Sequence, residues 1–335
     1  MDGLPHPKGP RYRDTMADDR IPLGISSCLL GNNVRYDRGH KLDRYLRDVL
    51  GRFVRWVPVC PEVECGLGVP RESMRLVGDP AAPRLLTTRS GVDHTGRMEA
   101  WARTRTAEIE AEDLRGFVFK ASSPSSGLRG VKVYDEKGNP TRRGVGIFAR
   151  AFTERFPLVP VEDEGRLNDA GIRENFIERV FAFHRWRTFT SGDGSLGGLV
   201  EFHTVHKLLL MSHDPRSPSA LGSLVAGARA RGRDGRRALL AEYGAGFMAT
   251  LAREATVKKN ANVLQHAMGY FKRELAADEK AELLEVISLY HRGLVPLVVP
   301  LVLLRHYVRK FGEPYLARQV WLDPHPAELA LRNHV

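Results

Sequence analysis

The chain has 335 residues, 42% hydrophobic and 27% charged, which is the composition of a soluble globular protein long enough for two cores. Its net charge is +11, with +7 in residues 1–150 and +4 in the rest, so a polyanionic partner suits it better than a cationic one. Three cysteines are odd in number and too few for a disulfide framework, which excludes a stapled secreted scaffold and favours a reducing cytosol. Residues 1–20 are polar and proline-bearing, lack the apolar core of a signal peptide, and are expected to fray. Residues 21–157 then alternate short β-like runs with amphipathic helical ones. Strands are expected at Ile21–Ser26, Phe53–Val59, Leu85–Arg89, Gly116–Ala121 and Val131–Asp135, with helices at Lys41–Leu50 and His94–Asp113.

This alternation argues for an α/β layer with a mostly parallel, Rossmann-like sheet over residues 21–160. The stretch 158–169, LVPVEDEGRLND, reads as a linker rich in acids and turn formers. Beyond it the pattern is helical: Ile172–Arg187, Leu196–Met211, Arg236–Ala255, Ala261–Leu275, Asp278–His291 and Leu301–Lys310. An all-α domain is therefore expected over 165–335. The longest apolar run, Leu294–Leu304, has eleven residues and two prolines. A membrane span needs about twenty residues, so the run is expected to be a buried segment, with no membrane partner.

Cys28 directly follows the first strand, and Cys60 directly follows the second, with Cys65 five residues further on. A hydroxyl-rich turn, Ser122–Gly127, follows the strand GFVFKA. Ligands of open α/β sheets bind outside the carboxyl ends of the strands, so these loops can converge on one site. All three cysteines have turn-forming or acidic residues nearby rather than apolar interiors, which favours metal or cluster ligation over inert packing. The spacing C-x4-C plus a distant cysteine lacks the fourth ligand of a closed zinc site. Three thiolates suit a [4Fe–4S] cluster with one open iron better.

Three stretches, SSCLLGNNVRYD, VCPEVECGLGVPRESMRLVGD and KASSPSSGLRGVKVYD, together resemble the TudS thiouracil desulfidase family. The helical half, in FHTVHKLLLMSH, NVLQHAMGYFKRE, YHRGLVPLVVPLVLLRHY and YLARQVWLDPHP, resembles the domain fused to it in RudS-type desulfidases of 4-thiouridine in tRNA. The resemblance covers Ile21 to Pro326. It implies a non-redox, [4Fe–4S]-dependent desulfidase whose partner is tRNA bearing thiolated uridine; the cysteine usage points to the cytoplasm, and no obligate protein partner is evident from the sequence. It implies cluster ligands at Cys28 and Cys60. The family's third cysteine falls in an SPSCG turn that here reads SPSSG, placing Ser126 at the ligand position, and Cys65 is expected to supply the missing thiolate. Glu62 and Ser123 match the family's acid/base positions. Glu62 would move protons and Ser123 would orient it. Plainer roles are an ion pair of Glu62 with Arg71 or Arg35, and turn formation by Ser123. Free thiouracil desulfuration and cluster-free RNA binding are the alternatives.

Two further motifs need structural placement. GVGIFA, residues 144–149, fits G-x-G-x-x-A and reads as a packing turn into a helix, or as a phosphate cradle. His203 and His206 stand at i, i+3 and can be a metal pair, satisfied core histidines or RNA contacts. Lys207, Lys258, Lys259, Lys272 and Arg273, interleaved with aromatics such as Tyr270, are the expected RNA-binding residues.

Overall fold

The computed structural model describes residues 20–228 and 235–334; the expectation for the N-terminal tail falls outside them. Its architecture is α/β in the first half and helical in the second. Four strands form the main sheet in the order β2 (Val54–Val59), β1 (Ile21–Ser26), β5 (Phe117–Phe119), β8 (Val161–Asp163), all parallel. Side chains alternate between its faces, as strand geometry requires. Ile21, Leu23, Ile25 and Val118 point to one face, and Val57, Val59, Phe117 and Phe119 to the other. On the second face lie α2 (Thr95–Ile109) and α3 (Ile147–Arg155), through Ala102, Ile109, Phe148 and Phe152. Phe117 stacks on Phe119 at 4.2 Å between ring centroids.

The other face is covered from the helical half. Phe176, Ile177, Val180 and Phe181 of α4 (Ala170–Ser191) join Leu46, Leu50, Leu329 and Leu331 over β1. The two halves are thus sewn together by a helix that serves both cores. The stretch read as a linker contains β8, which pairs with β5 through Phe117↔Val161 and Phe119↔Asp163. Its acids are anchors: Glu162 pairs with Arg129 (3.0 Å) and Arg166 (3.1 Å), and Asp163 accepts from the Leu128 amide at 3.1 Å.

A second, mixed sheet runs β4 (Arg84–Thr87), β3 (Met74–Val77), β6 (Val131–Tyr134), β7 (Pro140–Gly144). The strands expected at Leu85 and Val131 belong here and not to the parallel sheet, because β3 pairs antiparallel with β4 and parallel with β6. The helix expected over Lys41–Leu50 is a short π turn, Tyr45–Val49, followed by a 3-10 turn.

The helical half continues with α5 (Leu196–His213), α6 (Ser217–Ala226), α7 (Arg236–Leu251), α8 (Val257–Met268), α9 (Ala277–His291), α10 (Val298–Phe311) and the short α11 (Pro314–Ala317). Aromatics of α4, α5 and α7 interlock at its centre, with Trp186, Phe202, Tyr243 and Phe247 packed together. The run Leu294–Leu304 is only half buried. Leu297, Leu301 and Leu304 enter the core, while Leu294, in the turn before α10, is 61% exposed and Val302 is 57% exposed, because α10 presents one face and not its whole circumference. No helix among the described residues is long and apolar enough to cross a membrane.

Candidate functional site

Ser26 and Val59 are in register, so β1 and β2 end side by side. The chain after β1 makes a 3-10 turn carrying Cys28, while Cys60 caps the one-turn helix α1 (Pro61–Glu64) after β2. Beyond β5 the turn Ser122–Gly127 rises from the same edge. Together they wall a cavity of about 370 Å³ lined by Cys28, Cys60, Glu62, Ser123 and Ser126, with Arg35, Arg71 and Lys120 supplying positive charge.

Glu62 is the hub. Its Oε1 accepts from the Ser125 hydroxyl at 2.5 Å, and its Oε2 faces the Cys60 thiol at 3.6 Å and the Arg71 guanidinium at 3.8 Å. The ion pair expected with Arg71 therefore coexists with the site contacts. Because the Ser125 proton goes to the carboxylate, Ser123 must donate to Ser125 Oγ, 3.0 Å away. Ser123 Oγ in turn accepts from the amides of Ser125 (3.3 Å) and Ser126 (3.2 Å). Ser123 orients Glu62 only through Ser125, a residue that the sequence reading passed over. Its one signal was the row of hydroxyls in SPSSG.

The turn is held against α3. Amides of Ile147 and Phe148 donate to the carbonyls of Pro124 (3.3 Å) and Ser125 (2.9 Å), and Gly146 donates to Gly127 (2.8 Å). A Cβ on Gly146 would stand 2.5 Å from the Ser125 carbonyl carbon, so only glycine lets the turn sit there. GVGIFA is thus a packing turn; the first three amides of its helix, those of Ile147, Phe148 and Ala149, are spent on SPSSG, which leaves no open phosphate cradle.

Cys65 goes elsewhere. Cys60 and Cys65 cap opposite ends of α1, and five residues at 3.6 per turn rotate a side chain by about 140°. Cys65 packs with Leu76, Leu85, Met98, Val131 and Val133 between the second sheet and α2, and its thiol donates to the Glu62 carbonyl at 3.4 Å. It does not line the cavity; Ser126 does. Burial pushes the thiols of Cys28 and Cys65 up, and that of Cys60 to about 12, with Glu62 adding to the rise. Lys120 and Arg35 partly offset it at Cys28.

A [4Fe–4S] cluster with one open iron requires three thiolates facing one space. This cavity presents two thiols and the Ser126 hydroxyl, a hard oxygen donor in a soft-donor position. Among the described residues no three His, Cys, Asp or Glu side chains are grouped to hold a metal ion. The set Cys28, Cys60, Cys65 does not fit the cluster, and the expectation that Cys65 supplies the third ligand is corrected on geometry.

The histidine pair is core structure. His206 Nδ1 donates to the Phe202 carbonyl at 2.7 Å and its Nε2 accepts from Arg185 at 3.3 Å; His203 meets the Tyr243 hydroxyl at 3.0 Å. Burial pushes His203 down to about 4 and His206 to about 3, so both are neutral at pH 7. Lys207 is half-buried on α5. Lys258 and Lys259 open α8, while Lys272 and Arg273 follow its end, so the two pairs are separated by about 20 Å of helix. Tyr270 stacks on Tyr315 at 5.1 Å between centroids.

Residues 23–164 match the family model described as 2-thiouracil desulfurase, and residues 207–326 the one described as a protein of unknown function, DUF1722. An uncharacterized protein of Escherichia coli K12, YbgA, is 27% identical over 161 residues, covering 48% of this chain and 94% of its own. A solved structure described as the [4Fe–4S]-dependent thiouracil desulfidase TudS is 29% identical, covering 44% of this chain and 94% of its own, with a TM-score of 0.37. By these matches the α/β half is similar to the 2-thiouracil desulfurase family and the helical half to DUF1722.

Proposed function

We propose that the chain removes sulfur from thiolated uracil carried in tRNA, converting 4-thiouridine to uridine. The observation that carries the reading is Glu62, a carboxylate held by Ser125 and Arg71 at the wall of a cavity that also presents two thiols. It lies within the stretch that matches the 2-thiouracil desulfurase family.

The chemistry is a hydrolysis. Glu62 takes a proton from water as the oxygen adds to the thiocarbonyl carbon, and Arg71 balances the carboxylate. The adduct's hydroxyl gives up its proton as the carbonyl re-forms, the C–S bond breaks, and the sulfur leaves with that proton and the one held on Glu62. Water and thiocarbonyl become carbonyl and hydrogen sulfide, with no electron gained or lost. Cys28 and Cys60 give the sulfur a soft, polarizable wall. The motif resemblance implies a [4Fe–4S] cluster that would bind this sulfur, but the donor set does not fit it, and the steps above run without it.

The RNA part of the reading rests on the +11 charge, the motif resemblance, and exposed Lys258, Lys272 and Arg273 on the helical half. The target base must leave its stack to reach the cavity. Three free thiols suit a cytosolic site of action.

The test is to mix the full chain, purified without oxygen, with tRNA containing 4-thiouridine and follow sulfide release and loss of the thiouridine absorbance. Both are expected in the wild type and lost in Glu62→Gln. Faster turnover of free 4-thiouracil would make the protein a small-molecule desulfidase. Binding of tRNA with no sulfide released would leave a non-catalytic RNA-binding protein.

A further inference from the structure

The rim of the cavity carries a feature the chemistry above does not use. Residues Val34–Lys41 fold over one side of the mouth and are pinned there by backbone bonds. The Lys41 amide donates to the Cys28 carbonyl at 2.9 Å, the Arg71 amide to the Tyr36 carbonyl at 3.1 Å, and the Arg71 side chain to the Val34 carbonyl at 3.0 Å. On this fixed loop Tyr36 lines the cavity yet stays 43% exposed, with the Arg35 guanidinium 5.4 Å from its ring centroid. Arg38 and Lys41 flank it, both exposed, and among the described residues neither forms an ion pair.

A free thiouracil is small and neutral and has no use for unpaired cations around its doorway. A base on a phosphodiester strand does. Exposed aromatic rings beside cations are how proteins hold single-stranded nucleic acid, the ring taking a base face and the cations the phosphates. We propose that the Val34–Lys41 loop reads the strand around the target base: Tyr36 stacks a base of single-stranded RNA, and Arg38 and Lys41 contact its phosphates. The loop is held in place before binding, so little ordering cost opposes the contact. This rests on the reading of an RNA substrate, and it assigns the strand-gripping role to the α/β half, apart from the helical lysines.

The experiment measures binding by fluorescence anisotropy, using a uridine-containing RNA octamer without sulfur and the full chain, across a salt series. Tyr36→Ala is expected to weaken binding about 5- to 100-fold, while Tyr36→Phe stays close to wild type. Arg38→Ala with Lys41→Ala is expected to flatten the log–log salt slope by roughly 1.5. Thermal melts of each variant check the fold; all three positions are exposed, and wild-type melting is expected. Unchanged affinity and slope in these variants, or no octamer binding by the wild type, overturns the proposal. Equal loss in Tyr36→Phe and Tyr36→Ala overturns stacking. None of these readings uses sulfide release, so the desulfidase reading stands or falls separately.

Discussion

The Ser125 hydroxyl donates to Glu62 Oε1 across 2.5 Å, joining two turns 63 residues apart in sequence. One turn follows β2 and the other β5, and β1 lies between those strands in the sheet. The contact spans the carboxyl edge and aims the carboxylate into the cavity.

Glu62→Gln keeps the shape and removes the base. Sulfide release is expected to fall about 10²- to 10⁴-fold with melting unchanged. Ser125→Ala, which frees the carboxylate to turn, is expected to cost more than Ser123→Ala, which acts one bond further away. Steady-state rates for the three variants check the order; a larger loss in Ser123→Ala would place Ser123 on the substrate instead.

Iron content separates Cys65 from Ser126. After anaerobic reconstitution the wild type is expected to hold little iron, and Cys65→Ala to match it while losing about 1 kcal/mol of stability from its apolar pack. Ser126→Cys places a third thiol in the cavity, and iron and labile sulfide are expected to rise towards about four per chain. A wild-type cluster lost specifically in Cys65→Ala would refute the assignment.

Gly146→Ala sets a methyl against the Ser125 carbonyl. Overpacking against backbone costs about 1–3 kcal/mol, and here it shifts the turn that holds Glu62. Both the melting temperature and the rate are expected to drop. A stable variant with a lost rate would show that the turn moved without unfolding the domain.

Acid is expected to attack the helical half at Glu178. This buried carboxylate receives His213 Nε2 at 2.6 Å and Arg332 at 3.0 Å. Burial alone would raise it, but the hydrogen bond from His213 and the Arg332 guanidinium more than offset that and hold it down at about 2. Its folded value lies below the ordinary carboxylate value of about 4.3, so its stabilisation is complete above that pH and is lost as pH falls towards 2. Glu178→Gln is expected to destabilise by about 3–5 kcal/mol at pH 7, since it strands the buried Arg332 guanidinium. The gap from wild type should close in denaturation curves taken between pH 4.5 and 2.

Much of this was legible in the sequence because its causes are local. Apolar alternation in IPLGIS and VRWVPV marks strands, and a strand end marks where Cys28 and Cys60 must emerge. Helical spacing marks the second half, although α6 went unseen. Three short strands were missed as well: β8 sits in an acid-rich stretch, and β3 and β7 carry arginines that blur the alternation.

What composition and spacing could establish was the class of fold and the cavity edge, while the likeness to desulfidases came from whole motifs that resemble that family. Only the tertiary structure decided which side chains share the cavity. Cys65 is five residues from Cys60 and yet faces another core, because a one-turn helix rotates it away; Ser125 and Ser126 are distant in sequence and yet reach Glu62 and the cavity wall respectively, because parallel strands deliver their loops to one edge. Proximity along a chain fixes distance only within a turn or two, whereas strand register carries it across the molecule.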